Sequence, residues 1–576
     1  TTWDCTSPAF VLDGTLCIPS IFVSYNGDAL DMKLPSIRSI QAIDKAATRV
    51  ASLFEEGVSS VKVNVGLEQE YFLVDEDLYN ARPDLQLCGR TVIGHTSAKD
   101  QQLEDHYFGA IPSRVASFMK DFETEAYRLG IPLQTRHNEV APGQFECAPV
   151  FSEITQAIDQ NMLLMILMQK VAEKHHLKVI FHEKPFQGVN GSGKHCNWSL
   201  CTDQGTNLLS PGKTAEGKLR FLSFYSSVTK ALADHGYMLM ASVCSLGNTW
   251  RLGGNEAPPA ILSVFSGSTL TKVFEAILNM EQVDWEAGNK SISIVGSIPE
   301  IIPDNTDRNR TSPFAFTGNK FEFRMLGSNE SIACANVFLN TAVAEELSQF
   351  ADALEKASDF KTELHQLILK TIKEHKRIIF NGNGYDDSWV QEAKKRGLLN
   401  LRSTPEALPH ILEQKNIALF EKFGVYSKAE LQSRYEIHNE NYSKILNIEA
   451  ETMLEMAKKD ILPCASAFAN KLAKTMELKK AACQDCDLLY ESESLKKVSS
   501  LTSSIFKKTE ALEKAVEEAK ALASGGAESG KLAMFYREKV FAAMNELRSS
   551  ADELETITPK GLWPFPSYGE ILYSVR

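Results

Sequence analysis

The sequence predicts an α+β fold, in which a sheet with one polar face is backed by helices and followed by a helical C-terminal extension. Residues 61–74 and 320–325 alternate between apolar and polar side chains, a pattern typical of strands with one face in the core. Residues 497–524 are rich in Lys, Glu, Ala and Leu, and helical spacing resumes after Gly525-Gly526 to about Glu555. This last pattern predicts a helical hairpin with a structural or oligomeric role.

The composition indicates a globular protein without a nucleic-acid or membrane partner. A chain of 576 residues with 43% hydrophobic and 23% charged residues is long enough for two or three domains. The net charge of −13 disfavours a phosphate-backbone partner and suits a protein that concentrates carboxylates around divalent cations. The longest clear apolar run, residues 162–168, is far shorter than a membrane span.

The eleven cysteines are scattered along the chain, and Cys483 and Cys486 alone have C-x-x-C spacing. This distribution predicts unpaired, buried thiols in a reduced intracellular compartment, the cytoplasm. The chain opens at Thr1 without methionine, inside a segment that reads as folded structure, so we expect further sequence to precede it. An organellar address in that preceding part is the alternative to a cytoplasmic location.

The first elements follow from local patterns. Residues 15–25 are rich in β-branched and aromatic side chains and predict a strand, and residues 39–56 have helical spacing that ends at Gly57. In residues 61–74 the apolar side chains share one face, and the other face carries Lys62, Asn64, Gly66, Glu68 and Glu70. One face of this strand is therefore expected to pack in the core, and the other to carry functional residues.

Helices and strands alternate through the rest of the chain. Residues 112–128 predict a helix, followed by a strand through Val140 and a turn at Pro142-Gly143. Residues 152–176 have a long amphipathic pattern, residues 178–183 predict a short strand, and residues 221–238 are helical again. After the strand at 320–325, helical spacing dominates from about Ser331 to the end.

The stretch 186–200 is the most informative part of the sequence. Its three glycines, Gly188, Gly191 and Gly193, let the backbone approach a ligand without side-chain collision. His195 and Asn197 alternate with apolar neighbours and so share one face of a strand, where they offer a metal-binding nitrogen and a hydrogen-bonding amide. The stretch favours a site for a metal and a small polar ligand, with a tight turn beside a satisfied histidine as the alternative.

Five glutamates extend this site. Glu68 and Glu70 lie two apart on the polar face of one strand, and Glu322 has the same position on another. Glu139 and Glu146 are seven apart, so they reach one side only if Pro142-Gly143 turns the chain between them. Each glutamate alone is typical of a solvated strand residue. Together with His195 they form an oxygen-rich set that suits Mg²⁺ or Mn²⁺ better than structural zinc.

Two loops add arginines to this acidic set. Arg251 opens the segment 251–259, which ends in Pro258-Pro259, and residues 307–313 contain Arg308 and Arg310 and end at Pro313. Guanidinium groups hold carboxylates and phosphates, although each arginine alone is typical of a surface ion pair. Carboxylates for metals ringed by arginines predict phosphoryl transfer onto an acidic substrate. Because no Walker-type phosphate loop is present, nucleotide would be held through metals and arginines.

In this order, the motifs resemble the successive active-site blocks of glutamine synthetases. They are Gly66-Leu-Glu-Gln-Glu-Tyr71, Asn138-Glu-Val-Ala-Pro-Gly-Gln-Phe-Glu146, Asn190-Gly-Ser-Gly-Lys-His-Cys-Asn197, residues 251–259, and Asn309-Arg310 with Phe321-Glu-Phe-Arg324. Residues 381–385 and the helical extension resemble the type III branch. The resemblance implies a curved antiparallel sheet with glutamates on its concave face. It divides the chain into the remnant of an N-terminal β-grasp region at 1–25, a catalytic domain at 26–425 and a helical extension at 426–576.

The resemblance also implies the reaction and the metals. ATP would phosphorylate the side-chain carboxylate of L-glutamate, and ammonia would then displace phosphate to give glutamine. One divalent ion would be held by Glu70, Glu139 and Glu146, and another by Glu68, His195 and Glu322. Mg²⁺ or Mn²⁺ would occupy two or three positions per site.

The same resemblance implies roles for the groups around the metals. Asn190 and Gly191 would bind the substrate amino group, and Arg251 and Arg324 its carboxylate. Arg310 would stabilise the γ-phosphoryl group in transfer, and Glu256, on a flap, would accept a proton from the attacking amine. His137 and Asn197 would lie along the nucleotide phosphates.

Three features depart from the family pattern. Arg251 and Glu256 are one residue closer than in the better-known types, and Ala315 and Phe316 stand about where a second arginine usually follows the Asn-Arg pair. The third departure concerns an aspartate from a neighbouring subunit. Family members form stacked rings, here expected as a dodecamer, and in them an N-terminal aspartate of the neighbour helps to deprotonate ammonium. That aspartate has no clear counterpart in this sequence. Asp4 and Asp13 are poor candidates for that aspartate.

Two alternative functions keep the fold. A γ-glutamyl ligase that uses a polyamine or another amine would share the metal and phosphate motifs. A non-catalytic scaffold is the other alternative. Such a protein would be expected to have lost some metal-binding residues, whereas all six candidate ligands are present.

Overall fold

The computed structural model describes residues 1–254, 256–279 and 311–575 and has the expected α+β fold. Its strands, in chain order, are β1 (Thr2–Trp3), β2 (Phe10–Leu12), β3 (Thr15–Cys17), β4 (Ser20–Ile21), β5 (Val61–Asp75), β6 (Leu133–Asn138), β7 (Gln144–Pro149), β8 (Ser152–Glu153), β9 (Leu177–Ile180), β10 (Lys194–Thr202), β11 (Val264–Phe265), β12 (Phe314–Phe316) and β13 (Phe321–Phe323).

The helices divide into those around the sheet and those of the C-terminal part. The first group is α1 (Lys33–Ala51), α2 (Glu76–Asn80), α3 (Pro83–Cys88), α4 (Ser113–Arg128), α5 (Ile154–Lys174), α6 (Ala215–Ser242), α7 (Leu246–Arg251), α8 (Gly267–Leu278), α9 (Ala333–Leu354), α10 (Phe360–His375), α11 (Asp387–Lys395), α12 (Thr404–Ala407) and α13 (Gln414–Lys422). The second is α14 (Lys428–Met456), α15 (Leu462–Ala482), α16 (Leu489–Ser524), α17 (Ser529–Phe535), α18 (Phe541–Ile557) and α19 (Tyr568–Ile571). Short 3₁₀ turns lie at Lys376–Ile378 and Leu408–Leu412, and π turns at Ala457–Ile461 and Tyr536–Val540.

The main sheet is built around β5. Its strand order within the described residues is β11-β12-β13-β10-β5-β7-β6, and β8 and β9 also pair with β5. Every pair is antiparallel except β11 with β12, which corrects the expectation of a purely antiparallel sheet. The connection between these two strands is long enough to include α8, and parallel strands require such a crossover.

The two faces of β5 differ as the sequence predicts. Val61, Val63, Val65 and Leu67 are buried in the main core, where α1 packs against β5 and where α6 and α9 contribute further buried residues. The other face carries the glutamates and is the floor of the site. Burial of such side chains contributes about 2 kcal/mol each, which fixes the strand in this register.

The N-terminal predictions need correction. Residues 15–25 contain β3 and β4 in two separate small sheets, because Pro19 interrupts the run and cannot donate to a ladder. The helix expected at 39–56 is α1, which begins six residues earlier and ends at Ala51. Residues after it form turns, in which the Ser52 hydroxyl donates to backbone oxygens.

Other boundaries move by a few residues. The helix expected at 152–176 is α5, after the short β8, and the strand expected at 178–183 is β9, which ends at Ile180. The helix expected at 221–238 is α6, which is longer at both ends. The strand expected at 320–325 is reduced to β13.

The C-terminal part has its own core. The predicted hairpin is present, with α16 ending at Ser524 and the chain returning through α17 and α18 after Gly525-Gly526. Leu512, Val516 and Leu547 are among the buried residues between these helices and α14 and α15. No helix in the described ranges pairs enough length with enough apolar surface to cross a bilayer.

All eleven cysteines are unpaired, as expected from the sequence. The prediction that they are buried is wrong for Cys5, Cys483 and Cys486, which are exposed. The last two lie in the turn between α15 and α16, where no element covers them.

Candidate active site

The first cluster joins three neighbouring strands. His195 on β10 stands directly opposite Glu68 on β5, and Asn197 stands opposite Glu322 on β13. The Nδ1 atom of His195 lies 2.9 Å from Glu68 Oε2 and 3.2 Å from Glu322 Oε1. The antiparallel registers therefore bring residues 127 positions apart, and more, to one point on the polar face.

The charges in this cluster stabilise one another. Burial opposes ionisation, but hydrogen bonds with His195 lower the pKa of Glu68 and of Glu322. Burial would lower the pKa of His195, and its hydrogen bonds with Glu322 and Glu68 raise it well above the ordinary value. The two carboxylates thus favour a positive charge on His195, at the place where a divalent cation would also be stabilised.

The second cluster forms at the hairpin between β6 and β7. Gly143 adopts φ +73°, and the Gln144 N–H donates to Ala141 O, so the chain turns at Pro142-Gly143 as the sequence required. This turn brings Glu139 and Glu146 together with His137. His137 Nε2 lies 2.9 Å from Glu146 Oε1, and His137 Nδ1 lies 3.4 Å from Glu139 Oε1.

The titration of this second cluster is also shifted. The hydrogen bond to Glu146 raises the pKa of His137 to about 9, and burial raises the pKa of Glu146 itself. Candidate ligand atoms of Glu68, His195 and Glu322 lie within 4.8 Å of one another, as do those of His137, Glu139 and Glu146. The grouping differs from the sequence expectation because His137, rather than Glu70, completes the second set.

Glu70 lies between the two clusters. It stands directly opposite Glu146 in the β5–β7 pairing, and its carboxylate accepts a hydrogen bond from the Gly193 N–H. Its negative charge contributes to the raised pKa of Glu146. Two facing carboxylates repel unless a cation or a proton lies between them, so Glu70 remains available to either cluster.

The glycine-rich loop brings the backbone against these groups. An added Cβ at Gly193 would collide with the Arg251 guanidinium, and one at Gly191 with the Glu183 carbonyl. Gln144 Nε2 donates to Gly191 O at 3.0 Å. Only glycine fits at both positions, which accounts for two of the three glycines in the motif.

Arg251 is more deeply held than the sequence predicts. Only 3% of it is exposed, and its guanidinium donates to Asn248 Oδ1, Leu326 O and Arg324 O. Within the described residues its Nε is buried without a hydrogen-bond partner. The side chain lies at the site, but these contacts give it a structural role beside any contact with substrate.

Glu256, the residue expected on a flap, contacts the glycine-rich loop. Asn190 Nδ2 donates to Glu256 Oε2 at 2.8 Å, so two residues predicted for substrate chemistry are in contact. Glu256 has φ +66°, an uncommon conformation for a residue with a side chain. Tyr385, in the segment 381–385, donates from its hydroxyl to Ala257 O at 2.8 Å and so holds the flap from the other side.

A groove of about 420 Å³ leads away from the first cluster along the polar face. Glu68 and Asn197 line its inner end, and Phe151, which is 65% exposed, lines its wall. Asn197 Nδ2 donates to Glu68 Oε1 at 2.9 Å, so this amide orients a candidate ligand. The groove therefore opens onto one candidate metal ligand and the amide that orients it.

Sequence reasoning missed the segment 94–110, which has no periodicity. His106 Nδ1 lies 2.7 Å from Glu139 O, and Gln101 bonds to both the side chain and the backbone of Asn190. The Tyr107 ring lies 6.1 Å from that of His137, measured between centroids. The local signal available was a cluster of polar and aromatic residues in a loop, which is too general to identify a site.

Three family models match successive parts of the chain. They are described as Glutamine synthetase type III N terminal, matching residues 1–39, Glutamine synthetase, catalytic domain, matching residues 44–260, and Glutamine synthetase C-terminal domain, matching residues 363–480. The chain is also 45% identical over 586 residues to a glutamine synthetase of Bacteroides fragilis (strain YCH46), covering 100% of this chain and 80% of that protein. This chain belongs to the glutamine synthetase family.

Two further relatives are glutamine synthetases, and one of them is described as type 3. A type-3 glutamine synthetase of Dictyostelium discoideum is 42% identical, with 100% of this chain and 79% of the relative covered. A glutamine synthetase of Butyrivibrio fibrisolvens is 44% identical, with 99% and 81% covered. A solved structure titled "Apo GmaS without ligand" is 16% identical with a TM-score of 0.45 over 76% of this chain and 79% of that one, a likeness that bears on neither substrate nor mechanism.

The structure places some of the other residues that the family resemblance singled out in this glutamine synthetase chain. Arg324 donates to Glu322 Oε2 at 2.8 Å and so lies at the first cluster. Arg310 lies outside the described residues. Asp4 pairs with Lys33 at 3.1 Å, and Asp13 forms an exposed ion pair with Lys170, so both are engaged locally. Neither contact brings these aspartates to the clusters.

The residues present fit a pair of divalent cations. Each cluster offers carboxylate oxygens and one imidazole nitrogen, the donor set of Mg²⁺ and Mn²⁺ sites with a single histidine. The raised pKa of His195 and of His137 indicates that each cluster favours a positive charge beside its carboxylates. Glutamine synthetases use ATP and divalent metal, and this donor set agrees with that use.

Proposed function

We propose that this chain, a glutamate–ammonia ligase, joins ammonia to the side-chain carboxylate of L-glutamate through γ-glutamyl phosphate. The carboxylate oxygen attacks the γ-phosphorus of ATP and ADP leaves. Ammonia then attacks the activated carbonyl carbon, and inorganic phosphate leaves as glutamine forms. The observation that carries the proposal is the convergence of two carboxylate–histidine clusters on one face of the sheet, beside a groove large enough for a nucleotide.

We assign the metal ligands as two groups. Glu68, His195 and Glu322 would hold one Mg²⁺ or Mn²⁺ ion, and Glu139 and Glu146 would hold a second with Glu70 or His137. When bound, the ions supply positive charge against the phosphates and the carboxylate under transfer. Asn197 orients Glu68 through its amide, and a third ion per site is compatible with the number of carboxylates.

The lining of the groove supports one orientation of the nucleotide. Its inner end is formed by Glu68 and Asn197, so the phosphates would lie at the first cluster and the base toward Phe151. An exposed aromatic ring offers a stacking surface for a purine. His137 lies further along the polar face, within the second cluster, where a γ-phosphoryl group in transfer would come close to it.

The substrate amino acid would lie between the glycine-rich loop and the flap. Asn190 and Gly191 would bind its amino group, and Arg324 its carboxylate, with Arg251 shaping the pocket floor and completing that carboxylate site. Glu256 would accept the proton of the attacking amine, since it reaches Asn190 directly. Arg310 would stabilise the γ-phosphoryl group in transfer, and preorganised charge would supply most of the rate enhancement.

Assembly and location complete the proposal. We propose stacked rings in a dodecamer, the cytoplasm as the compartment, and the division 1–25, 26–425 and 426–576 for the N-terminal, catalytic and helical parts. Unpaired cysteines support a reduced compartment. Size measurement of the purified protein by light scattering tests the assembly directly.

A product assay tests the reaction. The protein is incubated with glutamate, ATP and Mg²⁺, and with either ammonium or a small polyamine, and products are identified by mass spectrometry. We expect glutamine, ADP and phosphate in equal amounts with ammonium as the amine. Preferential formation of a γ-glutamyl polyamide, or no ADP release with any amine, would contradict the proposal.

A further inference from the structure

The C-terminal tail returns to the catalytic sheet. Residues 559–575 follow α18, and Tyr568, Ile571, Leu572 and Val575 in this tail are at most 1% exposed. They pack on apolar residues of β5, β9 and the glycine-rich loop. The Tyr568 ring lies 5.2 Å from that of Phe186, the first residue of the glycine-rich stretch, at an interplanar angle of 82°. The tail is therefore part of the wall behind the site.

The hydroxyl of Tyr568 links four parts of the chain. It lies 2.5 Å from Thr91 Oγ1, and it accepts hydrogen bonds from Arg548 at 2.9 Å and from the Gln187 N–H at 3.3 Å. The last contact reaches the backbone of the glycine-rich loop. A buried hydroxyl with three partners is a strong positional constraint, because any displacement leaves polar groups unsatisfied.

The same extension fixes the segment 91–100. Arg548, which is 4% exposed, donates to Thr91 O at 3.0 Å and to Gly94 O at 2.7 Å, and Asp552 accepts from the Gly94 N–H at 2.7 Å. Near the end of the segment, the Tyr573 hydroxyl donates to Asp100 O at 2.7 Å. The α18 helix and the tail thus hold both ends of this segment.

The next residue, Gln101, reaches the substrate loop. Its Nε2 donates to Asn190 Oδ1 at 2.8 Å, and its Oε1 accepts from the Asn190 N–H at 2.8 Å. This reciprocal pair of hydrogen bonds sets the orientation of the Asn190 side-chain amide. With Oδ1 held by Gln101, Nδ2 points to Glu256, to which it donates at 2.8 Å.

We propose that the C-terminal extension is a positioning element of the active site, which acts through Tyr568, Tyr573 and Gln101 to orient the amide of Asn190. The inference rests on the proposed function in assigning Asn190 to the substrate amino group. It gives the extension a role in the affinity for the amino acid, separate from any role in assembly. Gln101 is a positioning residue, because it acts on substrate through Asn190.

Kinetics of matched variants test the effect on substrate. Gln101→Ala removes the reciprocal pair, and Gln102→Ala is the control, because Gln102 is exposed and its side-chain amide donates to Ala98 O and Lys99 O in its own segment. We expect Gln101→Ala to raise KM for glutamate about 10-fold or more, with KM for ATP within 2-fold of the parent. An unchanged KM for glutamate, or an equal rise in both KM values, would overturn the proposal.

Tyrosine variants connect this effect to the tail. Tyr568→Phe and Tyr573→Phe keep the rings and remove single hydroxyls, and Tyr490→Phe changes an exposed tyrosine of α16 as the control. We expect each tail variant to raise KM for glutamate in the same direction as Gln101→Ala, by 3-fold or more. Parent-like kinetics in both tail variants would restrict the role to Gln101 and refute a role for the extension.

Hydrogen exchange tests the positioning without any turnover. The Gln187 N–H donates to Tyr568, and the Asn190 N–H donates to Gln101, so each amide reports on one contact. We expect Tyr568→Phe to speed exchange at Gln187 and Gln101→Ala to speed it at Asn190, each 10-fold or more above the control variants. Parent-like exchange overturns the inference, and a protein that forms no glutamine but shows these changes refutes only the proposed function.

Discussion

Glu68 and His195 stand opposite each other on adjacent antiparallel strands, with His195 Nδ1 2.9 Å from Glu68 Oε2. The pair is the centre of the first cluster, since Glu322 completes it from the next strand. The register of β5 with β10 brings the two side chains together. A slip of one residue would turn one of them to the core face. The fold therefore specifies the geometry of the first cluster through its strand pairing.

Replacing His195 by alanine is expected to remove one metal position. Two carboxylates would lose their shared partner, and the remaining donor set would bind Mn²⁺ at least 10-fold more weakly. Equilibrium dialysis with Mn²⁺ gives the stoichiometry, with His365→Ala on the exposed face of α10 as the control. Full stoichiometry and unchanged affinity in His195→Ala would remove His195 from the ligand set.

Asn197→Ala is expected to weaken the same position without removing a ligand. The Asn197 amide donates to Glu68 Oε1 at 2.9 Å, and loss of such a supporting hydrogen bond typically lowers metal affinity 10- to 100-fold. Titration calorimetry with Mn²⁺ measures the change, and Asn441→Ala on exposed α14 surface serves as the control. If both variants bind as the parent does, Asn197 has no orienting role.

Glu256→Gln is expected to lower kcat about 100-fold or more, because the amide cannot accept a proton from the attacking amine. The amide can still bond to Asn190, so KM for glutamate should change much less. Steady-state kinetics with ammonium at saturation separates the two parameters, with Glu517→Gln on the exposed face of α16 as the control. A kcat within 3-fold of the parent would exclude Glu256 as the base.

Glu183 gives a pH-dependent prediction for stability. The residue is buried against the backbone of Gly247 and Gly327, and burial, with the nearby charge of Glu330, raises its pKa to about 7 from the ordinary 4.5. The folded protein then binds more protons than the unfolded chain between these values. Its free energy of unfolding therefore falls as pH rises through that window, by about 3 kcal/mol in total.

Glu183→Gln removes this loss because the amide does not ionise. We expect the difference in Tm, variant minus parent, to increase between pH 5 and pH 8, as measured by differential scanning calorimetry. Glu275→Gln, at an exposed position of α8, should show no such trend. A constant difference across the range would mean that Glu183 ionises in the folded protein as it does in solution.

The sequence predicted which side chains share one face of the sheet better than it predicted the boundaries of the elements. Alternation along β5 and β10 placed Glu68, Glu70 and His195 on one face, because period-2 patterns translate directly into strand faces. The Pro142-Gly143 turn was required by the chemistry and is present. Helix α1 was misplaced because its N-cap residue is Met32, which has no capping side chain, and Asp31 instead accepts from the Leu34 N–H from one residue further back.

Other parts of the site leave no local signal in the sequence. The contact of Gln101 with Asn190 joins residues 89 positions apart through a loop without periodicity. Inclusion of His137 in the second cluster depends on the register of β6 with β7, where His137 stands opposite Glu146. The docking of Tyr568 depends on the path of the whole C-terminal extension. Such contacts arise from tertiary packing, which spacing along the chain does not encode.

Anomalous diffraction at the manganese edge, from crystals soaked with Mn²⁺ and nucleotide, tests the central claim most directly. We predict two strong peaks a few ångströms apart, one bounded by Glu68, His195 and Glu322 and the other by Glu139 and Glu146. Absence of a peak beside His195, with its ring still bonded to both carboxylates, would contradict the assignment of this face as the catalytic metal site.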